Sequence, residues 1–298
     1  MNTKFSIVIP THNRPKELDR AVRSVIDQTH QNWEMIIVDD GSIPKAEAHL
    51  RVESSDSRIH YIWQTSQGPG AARSLGAAKS TGNYILFLDD DDRYCSDHLE
   101  RINSTIHGLN PKPSIIATGM VEIFKSRRRR NSVYTSGQII KQYWKRPQSL
   151  LPFVFNKSIL ANYPIITTPS PIEDFEWLCT VLSRFEIVQV KYYTVEYYLH
   201  GQNRTKLLAS KESLFEREQV ISRLFNLPEL TRHISKSEYR RMLTHQRLHW
   251  TRQCLRARLW KYASFGLLRA LTSANLNNSR ELIYTCYVAV RSAYHRPT

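Results

Sequence analysis

Short apolar runs alternate with segments of helical periodicity over the first 120 residues. The apolar runs are FSIVIP, EMIIVDDGS, IHYIW and YILFLDDDD, and each has a length typical of a strand. Between them, residues 16–28 carry apolar side chains every three or four positions, and segments 46–53 and 71–80 also favour helices. This order predicts repeated βα units and an α/β fold with a mostly parallel central sheet.

Polar residues directly follow three of the predicted strands, in segments 10–14, 39–42 and 89–92. In open parallel sheets, ligands bind in the crevice outside the carboxyl ends of the strands. We therefore expect these three segments to converge on a binding site.

The pattern is looser after residue 113. SIIATGMVEIF predicts a strand, IEDFEWLCTVLSRF a helix, and VQVKYYTVEYYLH one long strand or a strand pair. KSRRRR predicts an exposed turn or a basic surface contact. Helical periodicity dominates from residue 211 onward, in SLFEREQVISRLF, SEYRRMLTHQRLHWTRQCLRARLWKYASFGLLRAL and RELIYTCYVAVRSAYH.

Two features bear on the expected location. No apolar run approaches the roughly 18 residues that a membrane-spanning helix needs. The first residues, MNTKFSIVIPTHNR, lack the long apolar segment of a signal peptide. We expect a cytoplasmic protein that does not span a bilayer.

The four cysteines form no CxxC pair, which argues against a zinc site or a disulfide framework.

Positive charge is concentrated in the last third of the chain. The whole chain has a formal charge of +15, and residues 201–298 contain 18 Lys and Arg against 6 Asp and Glu, a balance of +12. This excess predicts an anionic partner, and the mixture of Arg, Trp, Tyr and Leu in LHWTRQCLRARLWKY suits a helix at an anionic membrane surface. A packed helical subdomain with a solvated basic exterior is the alternative. No nucleic acid partner is expected, because no RNA- or DNA-binding signature accompanies the charge.

Four consecutive aspartates, Asp89–Asp92, follow the fourth apolar run. Adjacent carboxylates repel one another and resist burial, so such a run usually has a cation or another positive partner. A solvated acidic turn at a helix start is the alternative. If the strand continues through the acids, Asp89 and Asp91 share one side, which makes them candidates to hold a hard cation. Asp92 is then expected in a supporting or helix-starting role.

Several segments together resemble the family 2 glycosyltransferases, enzymes of the GT-A fold. They are SIVIPTHNRPKELDRAVRSVIDQTHQNWEMIIVDDGS, GPGAARSLGAAKSTGNYILFLDDDD, IEDFEW and HGQNRT. The resemblance implies a catalytic domain over residues 1–205, with nucleotide-sugar binding in 1–120 and the acceptor side in 121–205. The basic helical region 206–298 lies outside it. It also implies sugar transfer from a nucleoside diphosphate donor, with inversion and with Mn²⁺ or Mg²⁺.

Positions in these motifs imply site residues. The implied donor-binding residues are Pro10, Thr11, His12, Asn13, Arg14, Asp40, Arg73, Asp89, Asp90, His200 and Arg204. Metal coordination is implied chiefly for Asp91, with Asp89 and His200 beside it. Asp174 is the implied general base, with Glu173 next to it in the acceptor site. Both acids could instead stabilise the start of a helix.

Two of these positions depart from the usual family pattern. Ser74 follows Arg73 where the family usually has Asn, and Arg73 could alternatively lie on a solvated helix face. His12 stands where an aromatic residue often packs on the base, and an imidazole could stack similarly. An ordinary strand exit is the alternative for residues 200–205, which resemble the family segment that closes over the diphosphate.

The expected activity is transfer of a hexosyl or hexosaminyl group, with a UDP-sugar as the favoured donor. The acceptor is a glycan or lipid-linked molecule in lipopolysaccharide, O-antigen or capsule synthesis, and the protein is peripheral on the inner face of the cell membrane. Two alternatives stay open. One is a catalytically inactive module that binds nucleotide-sugar or nucleic acid. The other is a nucleotidyltransferase, which would need a phosphate loop where this chain has PTHNRP. The sequence does not predict an oligomeric state.

Overall fold

The computed structural model describes residues 2–49, 56–110, 112, 114–131, 139–167, 170, 172–199, 210–273 and 279–294. The chain forms two compact units. The first comprises Met1–Ile139, Gln148–Pro169 and Arg184–His200, and the second comprises Ile140–Pro147, Ser170–Ser183 and Gly201–Thr298. The expected domain boundary at residue 205 lies outside the described residues, so the predicted division stays a prediction.

The first unit contains the strands and alternates them with helices. The strands are β1 (Phe5–Thr11), β2 (Trp33–Asp40), β3 (Ile59–Gln64), β4 (Tyr84–Phe87), β5 (Arg93–Tyr94), β6 (Ile115–Phe124), β7 (Arg127–Arg130), β8 (Phe153–Asn156) and β9 (Ile187–Tyr198). The helices are α1 (Pro15–Ile26), α2 (Pro69–Lys79), α3 (His98–His107) and α5 (Lys157–Asn162), and α4 (Ile139–Lys145) begins at the edge of this unit. Residues 46–53 were predicted to be helical, but the described part, Ala46–His49, is one turn of 3-10 helix.

The sheet runs in the order β3-β2-β1-β4-β8-β6-β9-β5, with β7 paired to β6. Strands β3, β2, β1 and β4 are parallel neighbours, and β6 is parallel to β9. Strand β8 joins these two groups by antiparallel pairing to β4 and β6. The α/β fold class is confirmed. In KSRRRR, Lys125 and Ser126 form the predicted exposed turn, but residues 127–130 form the exposed strand β7.

Strand β1 lies at the centre of the parallel part and is buried along its whole length. Its apolar residues join those of β2, β4, α1 and α3 in one core. Helix α2 packs closely on β1 at Gly76, where an added Cβ would lie 2.3 Å from Val8 Cγ1. A side chain at this position would therefore push α2 away from the sheet.

A buried carboxylate joins the starts of three strands. Glu34, at the start of β2, accepts hydrogen bonds from Ser6 Oγ at 2.6 Å and from Thr81 Oγ1 at 2.7 Å, and Lys4 Nζ lies 2.9 Å away. Burial alone would raise the pKa of Glu34, but the hydrogen bonds from Ser6, Thr81 and Lys4 outweigh it and lower the pKa from 4.5 to about 2.

The second unit is helical among the residues that the structure describes. Its helices are α6 (Glu173–Leu182), α7 (Lys211–Phe225), α8 (Pro228–Thr231), α9 (Lys236–Arg256), α10 (Trp260–Ser273) and α11 (Ser279–Tyr294), together with most of α4. Helices α7, α10 and α11 pack on α9 around the buried side chains of Leu214, Trp250 and Cys254. Helical periodicity predicted helix in SEYRRMLTHQRLHWTRQCLRARLWKYASFGLLRAL, and this segment lies in α9 and α10. The two helices are separated near Arg258, which has a left-handed backbone with φ of 60°.

No helix in the described segments is long and apolar enough to cross a membrane.

We predict that Glu34 makes the stability of the protein depend on pH in the acid range. Because the folded pKa lies below the unfolded one, the stabilisation is present above pH 4.5 and is lost as the pH falls toward 2. The free energy of unfolding in urea should therefore fall more steeply from about pH 5 to about pH 3 for the wild type than for Glu34→Gln. Glu47→Gln, at an exposed acid, is the control. Equal pH dependence in the wild type and Glu34→Gln would contradict this role.

Candidate active site

The four aspartates form a turn just beyond the end of β4. Strand β4 ends at Phe87, and the amide of Asp92 donates to the carbonyl oxygen of Asp89 at 3.1 Å. The strand therefore ends before the acids, whereas the prediction of a shared side for Asp89 and Asp91 assumed that it continues through them. Carboxylate oxygens of Asp89, Asp91 and Asp92 all lie within 4.8 Å of one another. We call these three residues the acidic cluster.

Asp92 is the member of the acidic cluster that sequence reasoning missed. It was expected to support the site or start a helix, but its side chain is fully buried. One carboxylate oxygen accepts from the amide of Tyr198 at 2.7 Å, and the other has no hydrogen-bond partner among the described residues. Burial and the charges of Asp89 and Asp91 hold the pKa of Asp92 well above its usual range. A nearby cation would reverse this preference for the protonated form.

Arginines from two other segments neutralise the acids. Arg14 Nη1 lies 2.6 Å from Asp91 Oδ2 and 3.3 Å from Asp90 Oδ1, and Arg73 Nη2 lies 2.6 Å from Asp89 Oδ1. Arg73 is only 5% exposed, which is inconsistent with the alternative of a solvated helix face. An arginine forms the same kind of charge-assisted hydrogen bond with a phosphate group.

Arg20 of α1 supports the same turn from another direction. Its guanidinium donates to the backbone carbonyl of Asp91 and lies over the ring of Tyr198, 4.1 Å from the centroid. Tyr198 is also the residue whose amide binds Asp92. Arg20 and Tyr198 therefore connect α1, the acidic turn and the end of β9. Neither residue was predicted, because their contacts depend on segments far apart in the sequence.

Asp90 faces the end of β1 and not the acidic cluster. Thr11 Oγ1 donates to Asp90 Oδ2 at 2.8 Å, and Arg14 contacts the other oxygen. Burial, with added repulsion from Asp91 and Asp89, raises the pKa of Asp90 to about 7 despite the hydrogen bond from Thr11 and the charge of Arg14.

The loop after β1 is tied to the loop after β2. Ring nitrogen Nδ1 of His12 lies 2.7 Å from the carbonyl oxygen of Asp40, and the amide of Asn13 donates to Ser42 Oγ at 2.8 Å. Asn13 has a left-handed backbone with φ of 55°, which asparagine tolerates better than most residues. Pro10 and Thr11 are buried at the end of β1, while His12 and Asn13 are exposed. The predicted convergence of the loops after β1, β2 and β4 is therefore observed.

Asp40 organises the loop that leads into α2. Its two carboxylate oxygens accept hydrogen bonds from Gln64 Nε2, Ser66 Oγ and the amides of Gln67 and Gly68, at 2.7 to 3.2 Å. Burial raises the pKa of Asp40, but these four donors outweigh it, and the net pKa is below the usual value. A carboxylate has about four acceptor positions. If Asp40 binds the nucleobase of a nucleotide-sugar, that nucleobase would therefore share or replace one of these contacts.

The acidic cluster fits a hard divalent cation. It offers three carboxylates, and the buried oxygen of Asp92 that lacks a hydrogen-bond partner is a ready ligand. Mg²⁺ and Mn²⁺ prefer such oxygen donors. His200, predicted as a further metal and donor ligand, and Arg204, predicted to bind the donor, lie outside the described residues.

Glu173 and Asp174 form the first turn of α6 in the second unit, and both are half-buried. The next residue, Phe175, packs on Tyr143 and Trp144 of α4, with ring centroids 5.9 and 5.6 Å apart. Burial lowers the pKa of Arg217 of α7 to about 10, and the charge of Glu173 acts in the opposite direction. The acids occupy the position where a helix start stabilises negative charge. The base role of Asp174 stays a prediction.

The sheet has an acidic turn and arginines at the carboxyl edge of its parallel strands, and the fold is the GT-A fold. The sequence model of glycosyl transferase family 2 matches residues 6–164, just over half of the chain, and the chain belongs to this family.

Similar sequences share only part of their length with this chain. An uncharacterized glycosyltransferase of Rickettsia conorii is 41% identical over 99 residues, which are 33% of this chain and 16% of the relative. The putative teichuronic acid biosynthesis glycosyltransferase TuaG of Bacillus subtilis is 38% identical over 98 residues, 32% of this chain and 39% of TuaG. The match thus spans well under half of each relative.

Solved structures share the fold over nearly the whole chain. S. aureus TarS 1-349 in complex with UDP-GlcNAc has a TM-score of 0.68 and 14% identity, over 97% of this chain and 89% of that TarS fragment. The mannosyltransferase PcManGT of Pyrobaculum calidifontis, in complex with GDP-Man and Mn²⁺, has a TM-score of 0.59 and 10% identity, over 100% of this chain and 89% of that one. At such low identity the likeness concerns the fold alone.

Proposed function

We propose that this protein is a metal-dependent, inverting glycosyltransferase that uses a UDP-sugar donor. The observation that carries the proposal is the acidic cluster, three carboxylates within 4.8 Å of one another at the carboxyl edge of the parallel sheet. Repulsion makes this arrangement unfavourable without positive partners, and a divalent cation with its bound diphosphate supplies such a partner. The complexes of TarS with UDP-GlcNAc and of PcManGT with GDP-Man and Mn²⁺ support a nucleotide-sugar donor.

In this proposal the cation, Mn²⁺ or Mg²⁺, is held by Asp89, Asp91 and Asp92. When bound, it neutralises the negative charge that develops on the departing diphosphate. Arg14 and Arg73 give up part of their contact with the acids and donate to phosphate oxygens. Arg20 keeps the backbone of the acidic turn in place through the carbonyl of Asp91.

Acceptor activation requires a base that removes a proton from the attacking hydroxyl. Asp174 is the proposed base, and Glu173 is its neighbour on the acceptor side. The acceptor is proposed to be a glycan or a lipid-linked molecule of surface polysaccharide synthesis, and the name of TuaG, which refers to teichuronic acid biosynthesis, supports this class.

The basic C-terminal region is proposed to contact an anionic membrane. Two helices of this region have exposed apolar side chains, Leu268 and Leu271 on α10 and Ile283, Tyr284 and Tyr287 on α11. Helix α10 also carries the exposed Lys261. Apolar side chains beside basic ones are typical of interfacial helices. Sedimentation of the full chain with phosphatidylglycerol vesicles but not with phosphatidylcholine vesicles is the expected result. Equal behaviour with both would contradict an electrostatic membrane contact.

We predict that UDP raises the melting temperature of the protein only when Mn²⁺ or Mg²⁺ is present, because a ligand that binds the folded state stabilises it. Asp91→Asn should lose this shift, since it removes one charge from the acidic cluster. Asp97→Asn is the matched control, because Asp97 forms a partly exposed ion pair with Arg101 and lies outside the acidic cluster. A metal-independent shift, or an unchanged shift in Asp91→Asn, would argue against the metal site. The absence of a shift with any nucleoside diphosphate would favour an inactive module.

We predict that Asp174→Asn keeps the UDP shift but loses turnover. Hydrolysis of the donor, with water as the acceptor, should fall by about 10²- to 10⁴-fold, the usual contribution of a general base. Release of UDP from a panel of UDP-sugars measures this loss. Glu216→Gln, at an exposed acid of α7, should hydrolyse the donor at the wild-type rate. Wild-type hydrolysis by Asp174→Asn would remove this residue as the base.

A further inference from the structure

A cationic cleft of about 510 Å³ lies in the second unit, between α4 and the start of α9. Its volume is in the range of small-ligand sites. Its charged lining residues are Lys141, Lys145, Arg232, His233, Glu238 and Arg241. The lining therefore has four permanent positive charges against one carboxylate. We call this site the cationic cleft.

The single carboxylate is already engaged by its neighbours. Glu238 Oε2 accepts from the amide and the hydroxyl of Ser235, which forms the capping box of α9. Glu238 Oε1 lies 3.2 Å from Lys145 Nζ and 3.7 Å from Lys141 Nζ. One carboxylate thus serves two lysines, and no acid within the described residues forms an ion pair with Arg232. The balance of charge in the cleft remains positive.

The wall of the cleft is held by buried contacts. Trp144 of α4 is 1% exposed, and its indole nitrogen donates to the backbone carbonyl of Glu238 at 3.1 Å. This bond fixes α4, which carries both lysines, against the first turn of α9. The lysine stems are therefore anchored to a packed helix and not to a loop, which favours a preformed site.

The same aromatic residue links the cleft to the helix of the proposed base. Trp144 packs on Phe175, which directly follows Asp174 in α6. Helix α4, which contributes two lysines to the cleft, thus also packs against α6. We propose that the cationic cleft binds a phosphate group of the acceptor. The identity of the ligand as an acceptor rests on the proposed function. Phosphate binding itself is inferred from the charge and shape of the cleft.

Calorimetric titration with inorganic pyrophosphate in the presence of EDTA tests the site. Without a divalent cation, the acidic cluster repels pyrophosphate, so the cleft is the expected binding site. Removing two cations by Lys145→Ala with Arg232→Ala should weaken binding by about tenfold or more, since each forms a charge-assisted bond. Both side chains are exposed, so the double variant should fold, and its melting temperature checks this.

Lys236→Ala with Arg240→Ala is the matched control. It removes the same charge from exposed positions of α9 that do not line the cleft. Its pyrophosphate affinity should stay within about twofold of the wild type, because long-range attraction between exposed charges is screened by salt. No binding to the wild type, or equal weakening in the two double variants, would overturn the proposal.

A second titration identifies the source of the phosphate. Dihexanoyl phosphatidic acid, used below its micelle concentration, presents a lipid phosphate without a membrane surface. Tighter binding of this lipid than of pyrophosphate would indicate a lipid headgroup, and the reverse would indicate a soluble or glycan phosphate. The UDP shift of the wild type with Mn²⁺ reports the donor site separately. Cleft-dependent pyrophosphate binding without that shift would sustain the phosphate site and remove the glycosyltransferase proposal.

Discussion

Repulsion among consecutive carboxylates is the constraint on which the ligand face of the first unit depends. Three carboxylates lie within 4.8 Å of one another, and positive charge must be brought to them from elsewhere in the chain. Arg14 arrives from the loop after β1 and Arg73 from α2, so the strand order β2-β1-β4 and the close packing of α2 at Gly76 are both needed. The same arginines are suited to phosphate, so the groups that neutralise the acidic turn could also bind the phosphates of the proposed donor.

Much of the fold could be predicted because buried parallel strands have apolar runs of recognisable length. The acids at the strand ends were found for the same reason. The role of Asp92 could not be predicted, because period-two alternation applies to a strand and these residues form a turn. The hydrogen bonds of Asp40 to residues 64–68 depend on a segment that is distant in sequence. The end of α9 could not be predicted either, because Arg258 adopts a left-handed backbone without a glycine or proline as a signal.

The charge of the second unit divides into parts with different physical roles. Some arginines are structural, such as Arg247 and Arg269, which both bind the carboxylate of Glu218. Exposed apolar side chains on α10 and α11 mark a second part of the unit, where a membrane contact is proposed. The cationic cleft differs from both, because its charges surround a defined volume and share one acid. Net charge alone could not separate these roles, since it carries no information on which side chains are paired.

The central claim is that Asp89, Asp91 and Asp92 together hold a divalent cation with the donor diphosphate. Anomalous diffraction from crystals grown with UDP and Mn²⁺ tests it most directly. The account predicts one Mn²⁺ peak at about 2.0–2.2 Å from oxygens of the acidic cluster, as is usual for small divalent ions, with Arg14 or Arg73 moved toward phosphate. Bound UDP without Mn²⁺ at these carboxylates, and with both arginines still on the acids, would contradict it.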